Sequence, residues 1–312
     1  MLPQERHSPP PAHVMLRRLA IALLALGAAL VAFSVAWLVA VSPGYSLLPL
    51  DFQRTEALEG TYTVLDPSTG ATEASPMEEH REWKAVGRSV HGEIVVLQET
   101  VTTTVSIPGS GPQARTHTSR LLVHRRSRNY LVEGDTRRQG QFPAPVGLGT
   151  EDTFPVWVAE VGWPLQVRYG GSEAVGRLKV LRFAGEVSDL PLPTEPSGIV
   201  QHAADVAVEL LVEPRTGYVV SRAEHITLKV MDGKLPVRTQ SVTDLRFSED
   251  EVSRLARLAR GERLRVALLG TFMPWAVLGL GALLSAEGLF LLLVASWRRR
   301  TSRGTSETGS RT

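Results

Sequence analysis

The residues able to do chemistry are few and spread out. There are eight histidines, His7, His13, His80, His91, His117, His124, His202 and His225. None falls in H-x-x-x-H or H-E-x-x-H, the spacing that turns two imidazoles toward one zinc ion. No serine sits in G-x-S-x-G, and no P-loop occurs. Gly147-Leu148-Gly149 is too short to cradle a phosphate and reads as a turn. With no cysteine in the chain, thiolate metal sites, iron–sulfur clusters and cysteine nucleophiles are excluded. The sequence therefore predicts no catalytic residue, no cofactor-binding residue and no metal ligand, and the protein is expected not to be an enzyme.

Four features remain. Glu287 is the one ionisable residue in the apolar run Val266 to Trp297. A carboxylate inside a bilayer costs a few kcal/mol when charged, so it is protonated or paired, and it marks either a functional contact or a tolerated neutral acid. Arg254, Arg257, Arg260 and Arg263 recur every third residue on one helix face. They could meet lipid phosphates or simply keep the helix solvated. His80 stands within Glu78-Glu79-His80-Arg81-Glu82 and reads as a solvated strand end. Phe154, Trp157 and Trp163, with Pro155 and Pro164, read as core packing, or alternatively as a platform for carbohydrate or lipid.

The elements that position these residues start with two apolar stretches. Leu19 to Val41 has 23 residues without a charge and is preceded by Arg17 and Arg18. At 1.5 Å per residue this spans a hydrocarbon core of about 30 Å. It is too long for a signal-peptide core, and its small-residue cleavage pattern is poor, so it reads as an uncleaved anchor. The second span is Met273 to Trp297, followed by Arg298, Arg299 and Arg300. The chain has 312 residues and a net charge of +2. Residues 1–18 hold three Arg and one Glu, and residues 298–312 hold five Arg and one Glu, so the tails are net +6 and the remainder −4. Basic tails around an acidic middle fit cytoplasmic termini and an exported domain. The basic pI thus follows topology, and nucleic acid is not an expected partner. The Arg-over-Lys bias hints at a GC-rich bacterial genome.

Between the spans the texture is strand. Leu58 to Asp66, Glu93 to Ile107, Ser119 to Gly134, Leu165 to Val187 and Val206 to Val230 are rich in β-branched residues. Turns are expected at 67–70, at 108–112, near Ser127, at Gly170-Gly171, at Pro214 to Gly217 and at Asp232-Gly233. Leu190 to Pro196 reads as a linker or long loop. Alternation such as Val206, Val208, Leu210 and Val212 against Glu209 and Glu213 fits antiparallel strands with one wet face. Ser248 and Glu251 form a capping box that starts a helix. The fold class expected is mainly β: an antiparallel β-rich extracytoplasmic domain held between two transmembrane α-helices. The expected boundaries are a disordered tail 1–18, a span 19–41, the β domain 42–247, an amphipathic connector helix 248–272, a span 273–297 and a basic tail 298–312. Such a curled sheet needs cover for its inner face, from a second sheet or from a bound lipid.

Segments LPLDFQRTEALEGTYTVLDPSTG (48–70), FPVWVAEVGWPLQVRYGGSEAVGRLKVLRFAGEV (154–187) and VELLVEPRTGYVVSRAEH (208–225), followed by the terminal helix and span, carry a resemblance. The chain resembles the actinobacterial two-span membrane proteins of the porin PorA-like family. That resemblance implies a pore, with no catalytic or binding residue to transfer. The strands do not resemble a self-sufficient transmembrane barrel, whose lipid-facing positions would alternate throughout. The reading is a membrane-anchored cell-envelope protein with an exported domain for binding or scaffolding, of a lipid or another envelope component. The alternative is an oligomeric pore, with a homo-oligomer open in either case.

Overall fold

A computed structural model describes residues 12–65, 72–89, 91–107, 109–131, 138–192, 201–232 and 235–304. The turn expected at 67–70, Pro108 and Gly233 lie outside the described residues. So do the Pro-rich stretch past Leu192, most of the first tail and the end of the second. The chain divides into two compact units, one of residues 46–264 and one of residues 1–45 with 265–312.

The larger unit is an eleven-stranded sheet in which every strand pair is antiparallel. One meander comprises β1 (Gln53–Leu65), β2 (Thr72–Arg88), β3 (Ile94–Ile107), β4 (Gly111–His124) and β5 (Tyr130–Leu131). The other comprises β6 (Thr153–Val158), β7 (Trp163–Val175), β8 (Leu178–Pro191), β9 (Gln201–Glu213), β10 (Tyr218–Asp232) and β11 (Leu235–Phe247). The first and last strands pair, Leu58 opposite Phe247, and so join the two meanders. At the far edges Gln141 bridges both Asn129 and Val156, which ties the sheet back on itself at one point. Tight coiling brings neighbouring backbones close: a Cβ on Gly60 would lie 1.7 Å from the Asp244 carbonyl oxygen.

The strands differ from expectation in several places: β8 runs through Leu190 and Pro191, where a loop is expected, and β6 lies where no strand is expected. The hairpin of β7 and β8 turns at Gly176, whose φ is +58°, not at Gly170-Gly171. The latter pair forms a register shift inside β7, where a glycine absorbs the extra residue of a bulge. Another difference is β2, which holds only two β-branched residues, Thr72 and Val86, yet is 17 residues long. Its inner positions Met77, Glu79, Arg81 and Trp83 are all buried, while His80 is exposed on the opposite face. Charge at two inner positions hid the period-two pattern.

One face of the sheet is filled by side chains of both meanders, among them Leu58, Phe154, Phe183, Leu210, Ile226 and Phe247. Further cover for this face comes from a helix, which the sequence-based expectation leaves out. It is α2 (Glu249–Ala267), whose Leu255, Ala256 and Ala259 belong to this core. The helix starts where the sequence places it, with Ser248 Oγ accepting from Glu251 N at 3.2 Å. The Glu251 carboxylate, however, turns to the sheet and accepts from Ala57 N at 3.3 Å. A smaller cluster of Leu48, Trp83, Val95, Leu97, Leu121 and Val123 gathers round Phe142, with ring centroids of Phe52, Trp83 and Tyr130 5.6, 5.4 and 6.0 Å away.

The smaller unit is an antiparallel helix pair. Helix α1 (Ala12–Ala36) continues as a π-helical turn to Val41, and α3 (Met273–Gly304) follows a π-helical turn that begins at Leu268. Residues buried on α1 are Ala20, Gly27 and Ser34; those on α3 are Pro274, Gly281, Gly288 and Ala295. Both rows repeat every seven residues, the seam of a left-handed pair, and small side chains let the backbones approach. A Cβ on Gly27 would lie 2.6 Å from the Gly281 carbonyl oxygen. Polar groups finish the seam: Ser34 Oγ donates to Pro274 O at 2.5 Å and Trp37 Nε1 to Leu269 O at 3.0 Å.

If α2 is a core element and more than a connector, its two leucines should differ. Leu255→Ala should cost about 2–5 kcal/mol of unfolding free energy. Leu258→Ala, at 45% exposure, should stay within about 0.5 kcal/mol. Denaturant titration of the two variants checks this, and equal losses would contradict the packing.

Candidate functional site

Two places in the β domain gather polar side chains. The first is inside. Strand alternation sends Glu79 and Arg81 of β2, Glu99 of β3, Glu56 and Arg54 of β1 and Glu224 of β10 to the filled face, all at least 95% buried. Arg81 pairs with Glu79, lies 3.3 Å from Glu160 and 3.9 Å from Glu224. Arg222 pairs with Glu224 and donates to Trp157 O at 3.3 Å. Glu99 pairs with Arg138 and accepts from Trp83 Nε1 at 3.0 Å and from Ser119 Oγ at 3.1 Å. The cavity beside them is about 30 Å³, room for about one water. Buried charge this dense is tolerable only when paired and hydrogen-bonded.

The cluster perturbs its members in opposite directions. Burial, then the neighbouring Glu224 charge, pushes the Glu160 carboxyl up to about 7. Burial also works against ionised Glu99 and Glu224, but Arg138 and Arg222 respectively outweigh it and hold both below the usual carboxylate range. Nearby, burial and the adjacent Arg54 bring Arg128 down to about 10.

The second place is a groove of about 1050 Å³ on the face opposite the core. Register aligns two ladders across it. One runs Glu59, Arg246, Ala223, Glu209, Ala184, Arg168 over six strands. The next runs Thr61, Asp244, His225, Ala207, Glu186. Alanines at 184, 207 and 223 leave a trough between charged ridges, and Trp163, 51% exposed, closes one end. Of the aromatic group singled out in the sequence, Phe154 is core while Trp163 lies in this groove. His225 Nδ1 is 2.5 Å from Asp244 Oδ1, and its Nε2 is 3.3 Å from Thr227 Oγ1. That hydroxyl–imidazole–carboxylate order resembles a hydrolytic relay, but the His and Asp side chains are 51% and 55% exposed. Open solvent weakens such a relay, and a cross-strand polar pair accounts for it. Among the described residues no three metal-binding side chains converge.

The residues singled out in the sequence are not brought together. Arg254 donates to Thr55 O at 2.7 Å and pairs with Glu251, and Arg263 lies 3.8 Å from the buried Glu213. Arg257 and Arg260 are exposed. Glu287 is exposed on α3, one position round from the face that meets α1. Sequence reading missed both the buried cluster and the groove. The available signal for the first was Met77-x-Glu79-x-Arg81-x-Trp83; the second needs register between strands distant in sequence.

A β domain together with two helices long and apolar enough to cross a membrane is the outline of an anchored membrane protein. The chain belongs to the porin PorA family, whose sequence profile matches residues 19–290. No curated protein matches it.

Sign of the pH dependence follows from the cluster. Glu160, raised in the folded state, stabilises below the ordinary carboxylate range and loses that contribution as pH climbs through about 7. Glu99 and Glu224, lowered, stabilise above that range and lose it as pH falls through their folded values. Thermal stability should therefore peak near the ordinary carboxylate range, at about pH 4–5, and fall from there to about pH 7. Glu160→Gln should abolish that decline and leave the acid limb, as followed by Tm across pH. A decline unchanged in the variant would contradict the assignment.

Proposed function

We propose that this protein is a non-enzymatic, membrane-anchored cell-envelope protein whose β domain lies outside the cytoplasm and binds an envelope component in the groove. The groove carries the reading: at about 1050 Å³ it is large enough for a drug-sized or larger ligand. Charged ridges beside an alanine trough suit a molecule with a polar head and an apolar or flat body, such as an envelope lipid. The wet face of the sheet supports an aqueous domain over a membrane barrel. Its outward ladders carry Glu59, Arg246, Glu209 and Arg168 where a barrel needs apolar residues. Among the described residues the inner face of the sheet is packed with side chains, and the cavity beside the charge cluster is about 30 Å³.

The family description favours a second reading, a pore. In that case the conduit would be built from α1 and α3 of several copies, with Glu287 the residue to line it.

Two outcomes are expected. Full-length protein extracted from native membranes should carry a co-purifying envelope molecule in native mass spectrometry, and Ala207→Trp, which fills the trough, should lose it while remaining folded. Absence of any adduct on the unmodified protein would count against the groove. For topology, a reporter active only outside the cytoplasm should work at Gly109, in the turn after β3, and fail at the C-terminus. The reverse pattern would sink the orientation.

A further inference from the structure

We propose that α3 pairs in parallel with the α3 of a second copy of this chain, with Glu287 facing Glu287 across the contact. The inference rests on reading α3 as a membrane span. Helix α1 already occupies the face of α3 built from Pro274, Gly281, Gly288 and Ala295. One residue round, about 100° on a helix, lies a second face that α1 does not cover. It carries Met273, Leu280, Leu283, Glu287 and Phe290, at spacings of seven, three, four and three. The four apolar members are 48, 52, 69 and 63% exposed. That is an a/d seam over more than two heptads with one polar residue at an a position.

A single polar a position is the feature that fixes register and oligomer state between parallel helices. In a bilayer it also adds a driving force, because a carboxyl facing lipid tails has no hydrogen-bond partner. Neither apolar stretch supplies a second ionisable group: 19–41 has none and 266–297 has none besides Glu287. A second copy supplies a matching carboxyl. All copies insert the same way, so their α3 helices run parallel and place the two carboxyls at the same depth. A protonated carboxyl both donates and accepts, so the pair is self-complementary, as an isologous two-fold contact requires.

Because the chain has no cysteine, single cysteines report the contact directly. In native membranes, oxidation should give dimers from Leu283→Cys and Phe290→Cys, and not from Leu289→Cys, which is 54% exposed but off the seam. Adding Glu287→Leu to Leu283→Cys should lower the cross-linked fraction at least tenfold. Glu287→Gln, which keeps a donor and an acceptor, should retain it. Equal cross-linking at position 289, or a yield indifferent to Glu287→Leu, would overturn the pairing. So would a disulfide-free chemical cross-link at the seam that captures only a different protein. Labelling of Leu283→Cys by a membrane-impermeant maleimide would instead overturn the span on which the pairing rests, and leave the groove proposal untouched.

Discussion

Arg81 sits where the two meanders face each other. Its guanidinium reaches Glu79 on its own strand, Glu160 in the turn after β6 and Glu224 on β10. Removing one partner of such a buried pair leaves an uncompensated charge, at a cost of about 3–5 kcal/mol. The interaction binds elements distant in sequence, and it does so without a disulfide. An eleven-stranded sheet tied to itself through one residue, Gln141, needs such a cross-tie. Apolar packing on either side is non-directional, whereas these charge pairs and the backbone ladders are directional.

Around that tie the protein sorts polarity in an order opposite to a membrane barrel. Apolar groups and a dense set of paired charges are inside; solvated charge is outside. The two outer ladders turn this solvated face into a surface with alternating sign and three alanine gaps. The groove is thus a consequence of how inward and outward positions alternate in strands whose inner positions are already committed. The helix pair is organised differently, by small residues every seventh position, which leaves the large side chains to face the surroundings.

The sequence revealed strands wherever β-branched residues clustered, the Pro214 to Gly217 hairpin, the Ser248 cap and both apolar helices. It concealed β2, because Glu79 and Arg81 at inner positions read as surface until the partners across the fold are known. It also misplaced the turn of β7 and β8, since Gly170-Gly171 looks the same as a turn and as a bulge, and only the pairing of Val175 with Leu178 decides. The role of α2 was half legible: the Leu255, Ala256, Ala259 stripe was visible, but the surface receiving it was not. The groove had no local signature, because Ala184, Ala207 and Ala223 come from three strands and acquire meaning only in register.

The central claim is that this protein binds and does not conduct. Planar-bilayer recording of the purified full-length protein tests it most directly. The account predicts a flat baseline at all voltages that leave the membrane intact. Reproducible single-channel steps that disappear in Glu287→Leu would contradict it and establish a helix-lined pore instead.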